Sequence, residues 1–334
     1  MIELDALKTL SARVGADPLL VQAAGGNTSQ KQNGVMWIKA SGTWLKDASA
    51  KDIFVPVDHA ALMRGLKRHD PACETCEDFV RTDLNQTGLR PSIETAVHAL
   101  MPQSIVLHVH CVSTIAWAIQ VNAENLLAAK LAAFKWAFIP YARPGLMLAA
   151  AIAGRLKPDT NVLVLGNHGL VVAAESVAAA KQLLSGVVDA VALPARDVVP
   201  ADVGALKKAC EGTSYMPAVH ADTHALATDP LALDRSRDFV FYPDHVVFLG
   251  TGVATDLASG APLVALKGIG VALHLSAKPA VEPMGRCLAD VMRRIKTGDE
   301  VVALTALDID RLLNWDAEKY RQNTTVQGAV TDPS

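Results

Sequence analysis

Cysteine is scarce in this chain, and so are the features that would mark a membrane span, a secretory route or a nucleic-acid surface. Five cysteines (73, 76, 111, 210, 287) occur in 334 residues. Their odd number and irregular spacing exclude a disulfide framework and lead us to expect a reducing compartment. The formal net charge is only −3, with Lys and Arg scattered, so there is no basic stripe for nucleic acid and no polybasic membrane patch. Long apolar runs are missing too. Leu146–Ala153 and Val187–Leu193 fall well short of the roughly 20 residues needed to cross a bilayer. The N-terminus, Met1-Ile-Glu-Leu-Asp, carries acids where a secretory signal carries bases, which predicts a cytoplasmic protein. Finally, no GxGxxG follows a strand-like segment, so a dinucleotide fold is not expected.

What the chain has in quantity is apolar residues, 51% of the total, enough for a sizeable core in two lobes or one large domain. Residues 2–14 show helical apolar spacing. Val35–Lys39 and Ile53–Val57 read as strands around the turn-rich Ala40-Ser41-Gly42. Pro91-Ser92 opens a predicted helix carrying Glu94 and His98, with Ser92 as its N-cap. Ile105–Cys111 alternates like a strand, Thr114–Leu131 reads as helix, Asn161–Leu165 as a buried strand and Ser176–Leu193 as a long helix. Pro194–Pro200 looks like a linker. Beyond it, Pro262–Val271 aligns with Asn161–Leu170, with Ile269 standing where the first copy has His168. That is a partial internal repeat.

One constellation carries chemistry. His108-Val-His110 lies in a predicted strand, where residues two apart project from one face and two imidazoles can converge on one ion. Glu94 precedes it on an element leading into the same strand. His168 follows a strand end inside Gly166-Asn-His-Gly169, where glycines permit a tight turn. Three imidazoles and one carboxylate make a four-ligand set.

Gly25-Gly-Asn-Thr-Ser29, Lys39-Ala-Ser-Gly42, Pro91-Ser-Ile-Glu94, His108-Val-His110, Pro140-Tyr-Ala-Arg-Pro-Gly145 and Asn167-His-Gly-Leu170 occur in this order. Together they resemble the class II aldolase/adducin family, which includes the fuculose- and rhamnulose-phosphate aldolases. The likeness is greatest to the aldolase half of bifunctional rhamnulose-phosphate aldolase/dehydrogenase proteins, without the dehydrogenase. It covers roughly residues 20–195; Tyr242-Pro-Asp-His245 resembles the additional lobe of longer members.

The resemblance implies a three-layer α/β/α sandwich around a largely antiparallel sheet, with a smaller C-terminal α/β lobe. The expected division is residues 1–200 as the metal-binding catalytic domain, 201–325 as the C-terminal lobe and 326–334 as a flexible tail. Glu94, His108, His110 and His168 are the implied ligands of zinc, with manganese or another divalent ion as the alternative. Glu94 is the implied catalytic proton carrier. Asn27, Thr28, Ser41, Gly42 and Ser92 match the positions that hold the substrate phosphate. The implied reaction is aldol cleavage of a sugar phosphate or related keto sugar through a metal-stabilised enediolate, in a homo-oligomer. The alternatives are a decarboxylase of a 3-oxo sugar-acid phosphate and a sugar-phosphate epimerase; a non-catalytic adducin-like module is disfavoured by the intact ligand set.

Two departures from the family pattern stand out. Ile93 replaces a serine phosphate donor, and residues 111–139 contain Trp117 and Trp136 but no tyrosine to protonate a leaving fragment. Outside the matched motifs, Cys73-x-x-Cys76 reads as two ordinary thiols rather than half a zinc site. His98 is expected to support the ligands or the core. His220-x-x-x-His224 lacks the glutamate of a metalloprotease helix, and the C-terminal lobe is expected to be structural.

Overall fold

The computed structural model describes residues 3–327, with side chains described through residue 323, so most of the expected tail at 326–334 lies outside the described residues. Seven strands form one mixed sheet: β1 (Asn27–Gln32), β2 (Val35–Lys39), β3 (Phe54–Asp58), β4 (Ile105–Val109), β5 (Trp136–Ile139), β6 (Val162–Leu165) and β7 (Gly169–Ala174). Their order is β3-β2-β1-β4-β7-β6-β5. Every pairing is antiparallel except β5 with β6.

Strand alternation makes three layers out of this sheet. Leu107, Val109, Val162, Val164, Leu170 and Val172 pack on one face with the helices Asp5–Gly15 and Val177–Ala190. Val106, Leu163, Leu165, Val171 and Ala173 face the other way, onto His59–Lys67, Thr95–Leu100 and Leu146–Ala153. All five residues of β4 are buried, as a central strand covered on both faces requires. The expected α/β/α sandwich with a largely antiparallel sheet is what the backbone adopts.

A second, three-stranded sheet follows, with β8 (Tyr215–Pro217), β9 (Leu263–Leu266) and β10 (Gly270–His274) in the order β8-β10-β9. Its helix Val281–Met292 packs on Val112–Ala118 of the first layer system. One apolar cluster joins Val112, Ile115 and Ile119 to Phe241, Val246 and Leu288, so the helix Val112–Ala118 that follows β4 shares a core with the C-terminal half.

The helix expected at Thr114–Leu131 is two short ones, Val112–Ala118 and Ala123–Ala128. Between them Gln120 forms a bridge with Val301, and the Val302 amide donates to the Ile119 carbonyl. Pairing with the later segment interrupts the helix. The Pro194–Pro200 stretch has no regular structure but is tied down, with Arg196 ion-paired to Asp229.

Candidate metal centre

The central strand ends where the large sheet meets the C-terminal half, and the chemistry collects there. In β4, His108 lies opposite Asn27 of β1 and Val171 of β7. Its Nδ1 is 3.1 Å from the Leu170 carbonyl, which accepts the ring proton and turns Nε2 toward the site. His110 lies just beyond the strand end, its Nε2 3.2 Å from that of His108. His168 is brought in by the turn between β6 and β7, where Asn167 adopts a left-handed φ of 52°. That turn is anchored from the C-terminal half: the Asn167 amide donates to the carbonyls of Phe241 and Val302.

Glu94 completes the cluster from below. The helix expected to open at Ser92 begins at Thr95, with Glu94 at its N-cap, because the Ser92 hydroxyl accepts the Glu94 amide in a tight turn. The carboxylate therefore sits at the helix mouth, 3.2 Å from His108 Nε2 and 3.5 Å from His168 Nε2. Asn27 Nδ2 donates to it at 2.9 Å. Ligand atoms of His108, His110 and His168 all lie within 4.8 Å of one another.

The protonation states suit a divalent ion. Burial drives His108 down to about 4 and His168 to about 3, against the opposing pull of Glu94. Both rings are thus neutral with lone pairs available at neutral pH. Burial pushes the Glu94 carboxyl up, but the facing imidazoles of His108 and His168 and the Asn27 amide outweigh it and hold the acid at about 2. One Glu94 oxygen, Oε1, has no hydrogen-bond partner among the described residues. A buried anion with an open lone pair, facing the neutral rings of His108 and His168 with His110 beside them, is the donor set a zinc-like ion needs.

Around this cluster the pocket is lined by Asn27, Lys39, Ser41, Gly42, Ser92 and Glu94 from the large sheet and its loops, and by Pro243, Asp244, Glu318 and Arg321 from the C-terminal half. A bridge between Ala40 and Pro91 brings the Lys39–Gly42 and Pro91–Glu94 turns together. Ser41 Oγ is buried without a partner among the described residues. Of the five expected phosphate contacts, Asn27, Ser41, Gly42 and Ser92 line the pocket. Thr28 is the correction: strand alternation turns it to the opposite face, where its hydroxyl bonds Ser11 at 2.7 Å.

Other histidines stay outside the cluster. His98 is buried and bonds Ser29 Oγ through Nδ1 at 2.7 Å. His224 Nδ1 accepts the Val271 amide. Cys73 and Cys76 are free and buried, and burial pushes the Cys76 thiol well up, the behaviour of inert core thiols.

The sequence reading missed Lys39 and the C-terminal contribution. Lys39 Nζ donates to the Ala24 carbonyl, and burial, then Arg321, lowers the amine to about 7. Asp244 Oδ2 lies 3.1 Å from His110 Nδ1, and Arg321 grips both Asp244 oxygens at 2.6 and 3.0 Å. Burial would raise the Asp244 acid, but Arg321 and His110 hold it well below the usual carboxylate range. The Tyr242-Pro-Asp-His245 motif was the available signal for Asp244; nothing local marks Arg321.

Comparison with known proteins bears on the first half of the chain. A family profile described as "Class II Aldolase and Adducin N-terminal domain" matches residues 11–193. A curated relative, the "Uncharacterized oxidoreductase YuxG" of Bacillus subtilis (strain 168), is 29% identical over 170 residues, which is 47% of this chain and 24% of that protein. The match thus spans about a quarter of that relative's length. Among solved structures, the N-terminal class II aldolase domain of a conserved protein from Thermoplasma acidophilum is 23% identical with a TM-score of 0.49, covering 57% of this chain and 92% of that one. An L-fuculose 1-phosphate aldolase is 19% identical with a TM-score of 0.41, covering 57% and 85%.

Proposed function

Since a profile match over more than half its length makes this chain a member of the class II aldolase and adducin family, we propose that it is a divalent-metal-dependent carbon–carbon lyase acting on a sugar phosphate or related keto sugar. The observation that carries this reading is the Glu94 carboxylate facing His108 and His168 Nε2 inside a polar pocket. A binding module would have no use for a buried acid held ionised against the neutral rings of His108 and His168.

In the retro-aldol direction, the hydroxyl on the carbon that becomes the aldehyde loses its proton and the carbon–carbon bond breaks. The electron pair stays with the ketone-derived fragment, which is then protonated on carbon. A divalent ion held by His108, His110, His168 and Glu94, zinc or manganese, supplies a Lewis acid for the developing oxyanion. Glu94 is the proton carrier, because its carboxylate is ionised, lines the pocket and, among the described residues, accepts a side-chain hydrogen bond from Asn27 alone. Asn27, Ser41, Gly42 and Ser92, with the Lys39 amine, form the anion end of the pocket. Hydroxyls, amides and one ammonium suit a phosphate or carboxylate.

A decarboxylase of a 3-oxo sugar acid is the second reading, and one observation favours it. Tyr141 and Tyr242 do not line the pocket among the described residues, whereas Lys39 does. Loss of carbon dioxide requires no hydroxyl to give up its proton and leaves only a carbon to protonate, so no phenol is needed at an aldehyde oxygen. The deciding experiment supplies phosphorylated and free ketoses and 3-oxo acids to the protein with zinc or manganese and identifies the products. An aldehyde plus a three-carbon ketone supports the lyase, and carbon dioxide supports the decarboxylase. No turnover on the whole panel, by a protein that retains metal, would overturn both.

A further inference from the structure

The C-terminal half was expected to be structural, yet it places a carboxylate against a proposed metal ligand. We infer that Asp244 is a positioning residue for His110, clamped in turn by Arg321, so that the C-terminal lobe sets how tightly the site holds its ion. This rests on the metal reading above and adds to it a determinant from outside the matched residues 11–193.

The three histidines are not braced alike. His108 sits within the sheet and takes its brace from the Leu170 carbonyl of the neighbouring strand. His110 lies past the end of β4, where no ladder fixes its ring, and the contact at its Nδ1 is Asp244 at 3.1 Å. A carboxylate there accepts the Nδ1 proton, leaves the Nε2 lone pair facing the ligand cluster, and stops the ring from rotating. Both partners are buried, so the bond is not diluted by water.

Asp244 is itself held in one orientation. Arg321, on the helix Asp316–Gln327, donates to Oδ1 and Oδ2 in a two-pronged pair. Such a fork fixes the carboxylate plane as well as its place. The neighbouring segment is anchored too, since the Phe241 carbonyl accepts the Asn167 amide beside His168. The stretch from Phe241 to Asp244 therefore touches the bearers of two ligands.

Gly25 gives independent support. Its φ is outside the left-handed region, so backbone conformation does not demand glycine. A Cβ there would lie 2.8 Å from His110 Nδ1 and 3.1 Å from Asp244 Oδ2, as well as 2.9 Å from the Gln22 carbonyl. Any side chain would wedge into the His110–Asp244 bond. Glycine at this position keeps the two in contact.

The test is zinc affinity of the full-length protein, stripped with chelator and titrated against a chromophoric competitor. Asp244→Asn keeps the volume but turns an amide donor toward Arg321 or His110, and should weaken zinc by about 10–100-fold, the usual range for groups that orient a metal-bound histidine. Asp244→Ala/Glu318→Gln/Arg321→Met removes the guanidinium together with both carboxylates it pairs, so none of the three charges is left buried alone, and should lose a similar factor. Cobalt-loaded Asp244→Asn should show a shifted visible spectrum. In a His110→Ala background, Asp244→Asn should cost nothing further, while in His108→Ala it should still weaken the remaining site. Wild-type affinity in Asp244→Asn would overturn this inference alone. An equal loss in the His110→Ala background would also overturn it, because Asp244 would then act through the fold. Failure of the wild-type protein to bind zinc, cobalt or manganese would overturn the metal reading and this inference together.

Discussion

The β6–β7 hairpin of the large sheet and the β9–β10 hairpin of the small one are built to the same register, yet only one is chemically equipped. Leu165 pairs with Gly169 and Leu163 with Val171; in the second, Leu266 pairs with Gly270 and Val264 with Ala272. The likeness extends to the flanking strands. Val171 faces His108 of β4, and its counterpart Ala272 faces Pro217 of β8. A helix precedes each flanking strand, Thr95–Leu100 before β4 and Val203–Cys210 before β8. Another follows each hairpin, Val177–Ala190 and Val281–Met292. At the positions of His108, His110 and His168 the second unit has Pro217, Val219 and Ile269. Val219 is 73% exposed, where its counterpart His110 is buried. The partial repeat read from the sequence is thus a repeat of topology. Backbone arrangement does not make the site; the choice of three side chains, and the body packed over them, does.

The largest expected effect comes from making the first unit resemble the second. His108→Ala/His168→Ile should abolish bound metal by elemental analysis while leaving the fold intact, since the second hairpin stands without histidines. His220→Ala/His224→Ala, in the second unit, should leave metal content unchanged. Normal metal in the first variant, or lost metal in the second, breaks the comparison.

Glu94→Gln comes next. The amide retains the shape of the site but cannot carry a proton at neutral pH, so turnover should fall by at least about 10²-fold with most of the metal retained. A smaller loss would make Glu94 a ligand without a proton-transfer role.

The small sheet has no equivalent of β1–β3, the half that brings Lys39 to the site, and pH reads out that difference. In the metal-stripped protein the Lys39 amine stands at about 7, against 10.5 for an ordinary lysine. Between those values the unfolded chain holds a proton that the folded one lacks, so stability rises with pH across the window. Below about pH 7 the full cost of charging a buried amine is present. Lys39→Met should therefore raise the thermal midpoint most below about pH 7 and least near pH 10.5. Equal shifts at both would show that the amine is not titrating as described.

The smallest effect compares the two following helices. Ser176 caps the first through the Ala179 amide, whereas Ala280 offers the second no side-chain cap. Ser176→Ala should cost about 1 kcal/mol in denaturant unfolding, and Ala280→Gly should cost much less than the loss of a cap.

How far the sequence foretold this molecule depended on distance along the chain. Ordered motifs between Gly25 and Leu170 carried the sheet, its three layers and the residues that converge on the site. Local chemistry sufficed there, because strand alternation and glycine turns dictate where each side chain points. Thr28 was misassigned for the same reason: motif membership was followed where alternation in β1 sends the hydroxyl toward Ser11. The break in the 114–131 helix and the Asp244–His110 contact depend on segments more than a hundred residues away. No local pattern encodes such pairings. One core joins Ile115 to Phe241 and Leu288 across the proposed boundary between residues 1–200 and the lobe at 201–325, a packing that no local pattern announces.

The order in which Glu94, His110, Asp244 and Arg321 occur along the polypeptide has a consequence for biogenesis. Ribosomes make the N-terminal part first, and it begins to organise while the remainder is still being added. All four proposed ligands emerge before the carboxylate that steadies His110, and well before the guanidinium that steadies the carboxylate. On the metal reading proposed above, a nascent chain would display a loosely held ligand set, able to exchange ions with its surroundings. Firm capture would then wait until the helix bearing Arg321 has been made and docked, an interval in which a wrongly chosen ion could still leave.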